Sequence, residues 1–347
     1  MSDPATHQPF APALHAARVR EILGRAWSCR VVVLGDMMLD EHIVGRAQAV
    51  AREAPVLIVE QESRYAVPGG ATNVAANLRA LACDVSVCGV VGDDAAGTAL
   101  RRQLNDRGIG AEGLIADASR TTSIKLRIWA GGDRQRPQHM VSRVDTVDRR
   151  DLDAAVAAEL IAYLERSIPT ADALLISDYW NGVVGSEVVA AALPLARKHG
   201  LIIAVDAHGG LARFQGAHVV TPNQPEAEAE LGYALASPEV TCRGAAELRQ
   251  RLESRGVIIT LGAAGMVAAA QDADPVLIPA APQARVTDPT GAGDTVAAAV
   301  TAGLLGGGSI LEAALLGELA ARIVIRRLGV AVAPTEAILA EVGAANG

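Results

Sequence analysis

Short apolar runs that end in polar residues recur along the chain and alternate with segments of helical periodicity. Runs that are apolar at nearly every position are typical of strands buried on both faces, as in a parallel sheet. Strands that alternate with helices predict βαβ units, and therefore an α/β fold with a doubly wound, mostly parallel sheet flanked by helices. The predicted strands lie at 29–36, 84–94, 172–178, 201–207, 217–223 and 256–262, and the predicted helices at 13–26, 95–108, 186–200 and 244–256.

Two regions, 42–67 and 120–145, break this alternation because their strand-like stretches have no helix between them. They predict a small antiparallel β-sheet that stands off the main sheet as a lid over its carboxyl edge. Two long irregular insertions are the alternative. Both lid segments belong to a main domain at 29–347, which follows an N-terminal extension at 1–28 that contains a short helix.

Composition and charge exclude several classes of function. The formal net charge is −8 and the pI is about 5.4, whereas a nucleic-acid-binding surface needs a basic patch. No apolar run of about 18 residues predicts a membrane span, and the first residues lack the pattern of a secretion signal. Four cysteines without CxxC spacing predict reduced thiols in a cytoplasmic protein.

Polar residues stand where the predicted strands end. In an open α/β sheet, ligands bind beyond the carboxyl ends of the strands. Any one of these residues alone is typical of a helix cap or a turn, but their concentration at one edge predicts a binding site. They are Asp36, Asp40, Asp93, Asp178, Asp206, Asn223, Glu226, Thr260 and Gly262.

The stretch GAGD at 291–294 lies between a β-like run and an Ala-rich helical segment. Gly291 and Gly293 allow the backbone to approach a ligand closely. The first N–H groups of the following helix have no partner within it and carry the positive end of its dipole, so they suit a phosphate in transfer. Asp294 is then either a helix cap or the base that accepts a proton from an attacking hydroxyl.

Other phosphate-binding signatures are lacking, since the chain has no GxxxxGK[ST] and no GxGxxG after its first predicted strand. The missing GxGxxG weakens the alternative of a Rossmann dehydrogenase. PGGATNVAANL at 68–78 is a second Gly-rich start of a predicted helix. Gly69 and Gly70 are suited to a hinge, and Asn73 is suited to bind a hydroxyl group of a ligand. The alternative is a tight turn with an Asn near the start of a helix.

Six motifs, in order, make the chain resemble a ribokinase-type (PfkB) carbohydrate kinase from about residue 30 to residue 335. They are LGDMMLD, PGGATNVAAN, VVGDDAAG, TPNQPEAE, TLGAAG and DPTGAGDT. Within that family the chain is most similar to the heptose 7-phosphate kinases of bacterial lipopolysaccharide-core synthesis. The resemblance implies a ribokinase-like kinase domain that transfers the γ-phosphoryl group of ATP to a sugar hydroxyl, here the anomeric hydroxyl of a heptose 7-phosphate.

The resemblance also implies which residues act, with ATP and Mg²⁺ as cofactors. The implied catalytic residues are Asp294 as the general base, with Gly291, Ala292 and Gly293 as backbone donors of the anion hole. The residues implied for ATP and water-mediated Mg²⁺ are Asn223, Glu226, Thr260 and Gly262. Those implied for the sugar and for lid closure are Asp40, Asp36, Asn73, Gly69 and Gly70. A loop with Asp288, Thr290 and the carbonyls at 326–330 either holds K⁺ or forms a structural turn.

Two departures from the heptose kinase pattern bear on the substrate. DAHG at 206–209 replaces the expected DPKG, and His208 cannot be assumed to supply a permanent charge. The lid segment at 128–145 is longer and differently charged. A kinase for another sugar, sugar phosphate or nucleoside is therefore one alternative, and a catalytically silent binding protein is another. A 7-phosphate needs a cation, and the lid segments offer four candidates: Arg52, Lys125, Arg127 and Arg143. The alternative is that they are solvated surface charges.

The resemblance finally implies an assembly. Lids in this family pair across a dimer, so a homodimer through the lid is expected, with APVLIVE at 54–60 as the candidate strand. Bifunctional relatives carry a nucleotidylyltransferase domain after the kinase. Because the sequence ends at Gly347, that second activity is expected to be absent.

Overall fold

A computed structural model describes residues 14–131, 139–280 and 286–345. The strands in this part of the chain form a nine-stranded sheet and a four-stranded sheet. The strands are β1 (Arg30–Gly35), β2 (Met37–Val50), β3 (Leu57–Gly70), β4 (Asp84–Gly92), β5 (Gly110–Asp117), β6 (Ser123–Gly131), β7 (His139–Thr146), β8 (Ala173–Asp178), β9 (Ile202–Ala207), β10 (Val219–Val220), β11 (Gly256–Thr260), β12 (Met266–Ala270) and β13 (Ala273–Ile278).

Helices cover both faces of the large sheet. Some of them start at side-chain caps: α3 starts where the Asp94 carboxylate accepts the N–H of Gly97, and α7 starts where Ser237 accepts that of Val240. The helices are α1 (Ala16–Ala26), α2 (Ala71–Ala80), α3 (Ala95–Asp106), α4 (Ala154–Ser167), α5 (Ser186–Lys198), α6 (Gln224–Leu231), α7 (Pro238–Arg251), α8 (Ala292–Leu305), α9 (Ile310–Val324) and α10 (Thr335–Ala345).

The large sheet has the strand order β13-β12-β11-β10-β9-β8-β1-β4-β5. All neighbours from β11 to β5 run parallel, whereas β12 and β13 add an antiparallel edge. Alternate residues of β1 enter opposite cores, because Val31 and Val33 face one core while Val32 and Leu34 face the other. Burial on both faces explains the continuous apolar runs, and the predicted α/β fold is confirmed.

Helix α1 is packed into the main core. Val19, Ile22, Leu23 and Ala26 are all buried in the same hydrophobic cluster as residues of α8 and α10. The predicted short helix is therefore present, but it shares a core with the residues that follow it. Residues 1–13 of the predicted extension lie outside the described residues.

The lid is a four-stranded sheet in the order β3-β2-β6-β7. Strands β2 and β3 form one antiparallel hairpin, and β6 and β7 form another. The expectation of an antiparallel sheet is correct for both hairpins, but β2 and β6 join them in parallel. The hairpin strands are far apart in sequence, so their relative direction depends on how they leave the main sheet. Residues 132–138 of the second lid segment are outside the described part of the chain.

The lid is continuous with the core at its base. Met37, Met38 and Leu39 at the start of β2 are buried, whereas Val50 at its far end is 64% exposed. Strand β3 returns to the core and ends at Gly70, directly before α2. This path places the base of the lid beside the carboxyl end of β1. In the described ranges, no helix combines the length and the apolar character that a membrane span requires.

Candidate active site

Asp294 lies in the first turn of α8, where the sequence places GAGD. Gly291 caps the helix with φ +77°, a left-handed conformation that favours glycine. An added Cβ at Gly291 would also meet Asn73 Nδ2 at 2.7 Å. The Asp294 carboxylate is buried, with 4% of the residue exposed. The turn therefore points a nearly water-free carboxylate at neighbouring elements instead of into solvent.

Two side chains from distant parts of the sequence hold the Asp294 carboxylate. Asn73 Nδ2 donates to Oδ2 at 2.7 Å, and the Tyr179 hydroxyl donates to Oδ1 at 2.5 Å. Burial raises the pKa of Asp294, while these two hydrogen bonds and the charge of Lys125 lower it. The result is a carboxylate with a raised pKa that is fixed at both oxygens.

Backbone N–H groups at the start of α8 form a place for an anion. The N–H of Ala292 donates to the Pro289 carbonyl, and that of Thr295 donates to the Gly291 carbonyl. Within the described ranges, no protein acceptor is found for the N–H groups of Gly291, Gly293 and Asp294. Free N–H groups at a helix start attract anions. The anion-hole prediction therefore fits Gly291 and Gly293, whereas the N–H of Ala292 is already engaged.

A cavity of about 510 Å³ adjoins this helix start. Thr260 and Gly262, at the end of β11, lie on its wall together with Gly293. An added Cβ at Gly293 or Gly262 would meet no protein atom within 4 Å, so there is open space beside both backbones. Most of the remaining wall is apolar and comes from Ala263, Met266, Ala280, Val286, Val296, Ala321 and Ile325. This arrangement suits a flat, largely apolar group attached to an anionic chain.

The lid contributes charged side chains around Asp294. Arg127 Nη1 lies 3.0 Å from Asp40 Oδ1, and both residues are buried. Arg143 is paired with Asp145 at 2.7 Å. The Lys125 ammonium lies 4.2 Å from the centre of the Tyr179 ring, and among the described residues it has no carboxylate within ion-pair distance. Burial lowers the pKa of Lys125, and the charges of Asp40 and Asp294 oppose that effect.

Gly69 and Gly70 fit closely against the lid. A Cβ at Gly69 would lie 2.6 Å from the carboxyl carbon of Asp40, and a Cβ at Gly70 would lie 2.5 Å from Met38 Cε. Gly70 also has φ +51°. The glycine pair therefore leaves room for the Met38 and Asp40 side chains where β3 pairs with β2. Its predicted role as a hinge stays a prediction.

Asp36 is engaged by the backbone of another segment. Its carboxylate accepts the N–H groups of Tyr179 at 2.6 Å, Asn181 at 3.1 Å and Val183 at 3.3 Å. Burial, followed by the charge of Asp178, raises the pKa of Asp36 to about 6. These bonds fix the loop after β8 and use most of the acceptor capacity of the carboxylate. This geometry favours an anchoring role for Asp36 over the predicted contact with a sugar.

Asn223 and Glu226 form a capping box at the start of α6. Asn223 Oδ1 accepts the N–H of Glu226 at 2.9 Å, and Glu226 Oε2 accepts the N–H of Asn223 at 2.7 Å. Glu226 Oε1 accepts from Asn223 Nδ2 and lies 2.7 Å from His208 Nδ1. A carboxylate has about four lone-pair positions, so one remains for a metal-bound water. No cluster of His, Cys, Asp or Glu in the described ranges would hold a metal by itself, so direct protein ligands would be few.

Asp288 joins two loops. Its Oδ1 accepts the N–H and the hydroxyl of Thr290, at 3.0 Å and 2.7 Å, and its Oδ2 accepts the N–H of Gly329 at 2.9 Å. Both side chains are thus occupied by hydrogen bonds within the protein. A carboxylate has about four lone-pair positions, so the Asp288 carboxylate keeps one beside the backbone carbonyls of the loop. The monovalent-cation role stays a prediction beside the alternative of a structural turn.

Residues 29–337 match the family model described as pfkB family carbohydrate kinase. The chain belongs to this family. The match covers both sheets, the GAGD helix start and the lid, and pfkB kinases are phosphotransferases with an alcohol acceptor. The resemblance based on six motifs is thereby confirmed.

Curated relatives agree with this assignment. The chain is 37% identical to bifunctional protein HldE of Citrifermentans bemidjiense over 326 residues, which cover 94% of the chain and 66% of that protein. It is also 37% identical to HldE of Caulobacter vibrioides over 320 residues, covering 91% of the chain and 64% of the relative. The chain thus spans about two thirds of the length of these relatives.

The fold is similar to that of solved pfkB-like kinases. Phosphofructokinase-2 from Escherichia coli, in complex with substrates and products, superposes with a TM-score of 0.76 at 18% identity, covering 92% of this chain and 100% of that one. Arabidopsis thaliana ribokinase, complexed with ribose and ATP, gives a TM-score of 0.69 at 18% identity, covering 91% and 99%. At this level of identity, the likeness shows the fold.

The structure brings seven of the predicted residues into two neighbouring groups. Asp40, Gly69 and Asn73 lie on the lid side with Asp294, while Thr260, Gly262 and Gly293 line the cavity. Sequence reasoning gave no role to Tyr179, although it directly follows β8 and so stands at the same sheet edge as the predicted residues. Arg52 lies in the exposed turn between β2 and β3.

Proposed function

We propose that this pfkB kinase transfers the γ-phosphoryl group of ATP to the anomeric hydroxyl of a heptose 7-phosphate, with Asp294 as the general base. The observation that carries the proposal is the buried Asp294 carboxylate, held by two donors beside free N–H groups. Such a carboxylate can take a proton from an alcohol while the N–H groups stabilise the migrating anion. The relatives named HldE, heptose 7-phosphate kinase/adenylyltransferase, support the choice of sugar.

The transfer step is a displacement at phosphorus. The acceptor oxygen forms a bond to the γ-phosphorus while its proton passes to Asp294. The bond from the γ-phosphorus to the oxygen that bridges the β- and γ-phosphates breaks, and ADP leaves with that electron pair. Burial favours the neutral form of Asp294 and so makes it a better proton acceptor than an exposed carboxylate.

The cavity beside α8 would hold the nucleotide. Its apolar wall suits the adenine ring, and the backbones at Gly262 and Gly293 leave room for the phosphates. Asn223 and Glu226 would hold Mg²⁺ through its water shell. Asp288 and Thr290, with the carbonyls at 326–330, would hold K⁺. When bound, Mg²⁺ neutralises phosphate charge. Residues of this chain orient the acceptor hydroxyl.

The cations of the lid support a phosphorylated acceptor. Lys125 and Arg127 are two residues apart on β6, and Arg143 lies directly opposite Arg127 on β7. Side chains at such positions share one face of a sheet. The pairs with Asp40 and Asp145 balance two of the three positive charges, so the Lys125 ammonium is available to an anion.

A panel of acceptors tests the proposed function. ADP release is measured with ATP and Mg²⁺ against free sugars, nucleosides and sugar phosphates, with D-glycero-D-manno-heptose 7-phosphate included. The proposal expects the highest kcat/KM with the heptose 7-phosphate. Efficient turnover of an unphosphorylated sugar or a nucleoside would instead favour the alternative kinase. Tight acceptor binding without any ADP release would favour the silent binding protein.

Lys125→Gln is expected to raise the KM for the sugar phosphate about 10- to 100-fold, because it removes a charge-assisted contact to the phosphate. The kcat/KM for an unphosphorylated acceptor should change little. Steady-state kinetics on both acceptors measure the difference. Lys198→Gln, an exposed lysine at the end of α5, is the matched control and should leave both values unchanged. Equal losses on the two acceptors would argue against a phosphate contact.

A homodimer through the lid is also proposed. Six apolar side chains on the lid hairpins are between 41% and 56% exposed, which is typical of a surface that meets a partner. A second copy of the chain would cover them, as the family resemblance implies. These residues are Val56, Leu57, Ile58, Met140, Val141 and Val144.

Ile58→Glu is expected to convert the dimer to a monomer, because it places a charge in the apolar contact. Light scattering after size-exclusion chromatography measures the mass. Trp27→Glu is the matched control, since Trp27 is 68% exposed at the end of α1 and should not affect assembly. A wild-type protein that is monomeric at micromolar concentration would contradict the proposed dimer.

We also propose a cytoplasmic location. Cys29, Cys83, Cys88 and Cys242 are all free thiols, as expected in a reducing compartment. Burial raises the pKa of Cys83 to about 12, so this thiol is unreactive. The thiols therefore fit an enzyme that uses cytoplasmic ATP.

A further inference from the structure

The hydroxyl of Tyr179 makes the shortest of the contacts to Asp294. Its distance of 2.5 Å to Oδ1 lies in the range of charge-assisted O–H···O⁻ hydrogen bonds. Asn73 occupies the other oxygen at 2.7 Å. Each carboxylate oxygen thus has one fixed donor, and together the two donors restrict rotation of the carboxylate.

Tyr179 is itself held from several sides. Its N–H donates to Asp36 at 2.6 Å, which fixes the backbone after β8. The edge of its ring meets His208, with ring centres 4.2 Å apart and planes at 86°, and the Lys125 ammonium lies over its face. The phenol therefore reaches Asp294 from a rigid support, as a group that orients a reactive carboxylate needs to do.

We propose that Tyr179 is a positioning residue that orients the Asp294 carboxylate and sets its basicity. The proposal rests on the proposed role of Asp294 as the general base. A donor to the ionised form favours that form, and a fixed orientation keeps the base aligned with the acceptor hydroxyl. Tyr179 acts through Asp294 and needs no contact with the acceptor.

Several charged groups face Asp294 besides the phenol. The charges of Lys125 from β6 and Asp40 from β2 act on it, and Asp206 and His208 face it from the end of β9. Glu226 on α6 is paired with His208. Burial raises the pKa of Tyr179 well above its usual value, so the phenol stays protonated and remains a donor. Burial raises the pKa of Asp294 and the hydrogen bond from Tyr179 lowers it. Removing the Tyr179 hydroxyl should therefore raise the pKa of Asp294, so that Asp294 keeps its proton to a higher pH.

Tyr179→Phe tests this inference, because it removes one oxygen and keeps the ring contacts with His208 and Lys125. We expect kcat to fall about tenfold, since the base loses its alignment. The acidic limb of the kcat profile should move to higher pH by about one pH unit, the usual strength of a hydrogen bond to a charged group. The KM for ATP should stay within about twofold of its wild-type value, because Tyr179 does not line the cavity.

Tyr233→Phe is the matched control. Tyr233 also donates to a carboxylate, Glu247 at 2.7 Å, but this pair is exposed on the surface. The control should leave kcat and its pH profile unchanged. A Tyr179→Phe enzyme that loses activity with an unmoved acidic limb would overturn the inference, because a purely structural role produces that result.

A measurement on the wild-type chain covers the case in which Tyr179→Phe fails to fold. A phenol proton shared at 2.5 Å should give a downfield proton resonance that disappears when Asp294 is protonated. The absence of such a resonance at high pH would overturn the inference. The proposed function has its own test. Full activity of Asp294→Asn would refute the assignment of Asp294 as the base. If Asp294→Asn is inactive while Tyr179→Phe keeps wild-type kinetics, only the role of Tyr179 is refuted.

Discussion

Asp294→Asn is expected to lower kcat about 10³-fold, within the usual range for loss of a general base. The amide cannot take the acceptor proton, and its NH₂ group would face one of the two donors that now bind the carboxylate. The KM for ATP should change by no more than about threefold, because the cavity and the N–H groups remain. ADP release and ATP binding, measured on the same preparation, separate these effects.

The stability of Asp294→Asn is part of the same prediction. Burial disfavours the charged form of Asp294, so removing the charge should leave the Tm unchanged or raise it. Asp117→Asn is the control, because Asp117 at the end of β5 is another buried carboxylate, bonded to Ser119 and near Arg120, and makes no hydrogen bond to Asp294, Asn73 or Tyr179. It should lower the Tm and leave kcat unchanged. A fully active Asp294→Asn enzyme would refute the assignment of the base.

Gly69→Ala is expected to lower kcat/KM for the sugar about 100-fold. The added Cβ would lie 2.6 Å from the carboxyl carbon of Asp40, so either Asp40 or the β3 backbone must move. Movement of about 1 Å near the reacting groups has costs of this size. Overpacking should also lower the free energy of unfolding by about 1–3 kcal/mol. Steady-state kinetics and denaturant unfolding measure the two effects.

Gly24→Ala is the matched control for Gly69→Ala. Gly24 lies inside α1, and an added Cβ there meets no atom within 4 Å. Since alanine has the higher helix propensity, this change should raise stability by up to about 1 kcal/mol and leave activity unchanged. A Gly69→Ala enzyme with a wild-type kcat/KM for the sugar would contradict the prediction that this close contact keeps the reacting groups in place.

Local patterns in the sequence predicted most of the elements. The apolar runs gave β1, β4, β8, β9 and β11, and their residues are buried on both faces as expected. Asn223 and Glu226 illustrate the limit of such patterns. The spacing NxxE is equally a capping box and a magnesium motif, and the structure contains the capping box. The capping box and a magnesium site would use the same side-chain oxygens of Asn223 and Glu226, so the metal role stays a prediction.

Contacts between distant segments could not be predicted from local patterns. The parallel pairing of β2 with β6 cannot be read from either strand, since each is only locally strand-like. The family resemblance implies that Asp36 is a sugar ligand, and no local pattern indicates that the loop after β8 donates to its oxygens. The contacts of helix α1 with the main core are likewise absent from its own periodicity, which predicts only a helix with one apolar face.

The sequence by itself determined the α/β class, the glycine-rich start of α8 and the presence of a carboxylate in its first turn. These features depend on residues within about ten positions of one another, so local periodicity and backbone preferences are enough to predict them. Only the tertiary structure decided that Asn73 and Tyr179 meet Asp294, from 221 and 115 positions away. The order of strands in the sheet brings such residues together, and that order depends on how the whole core packs.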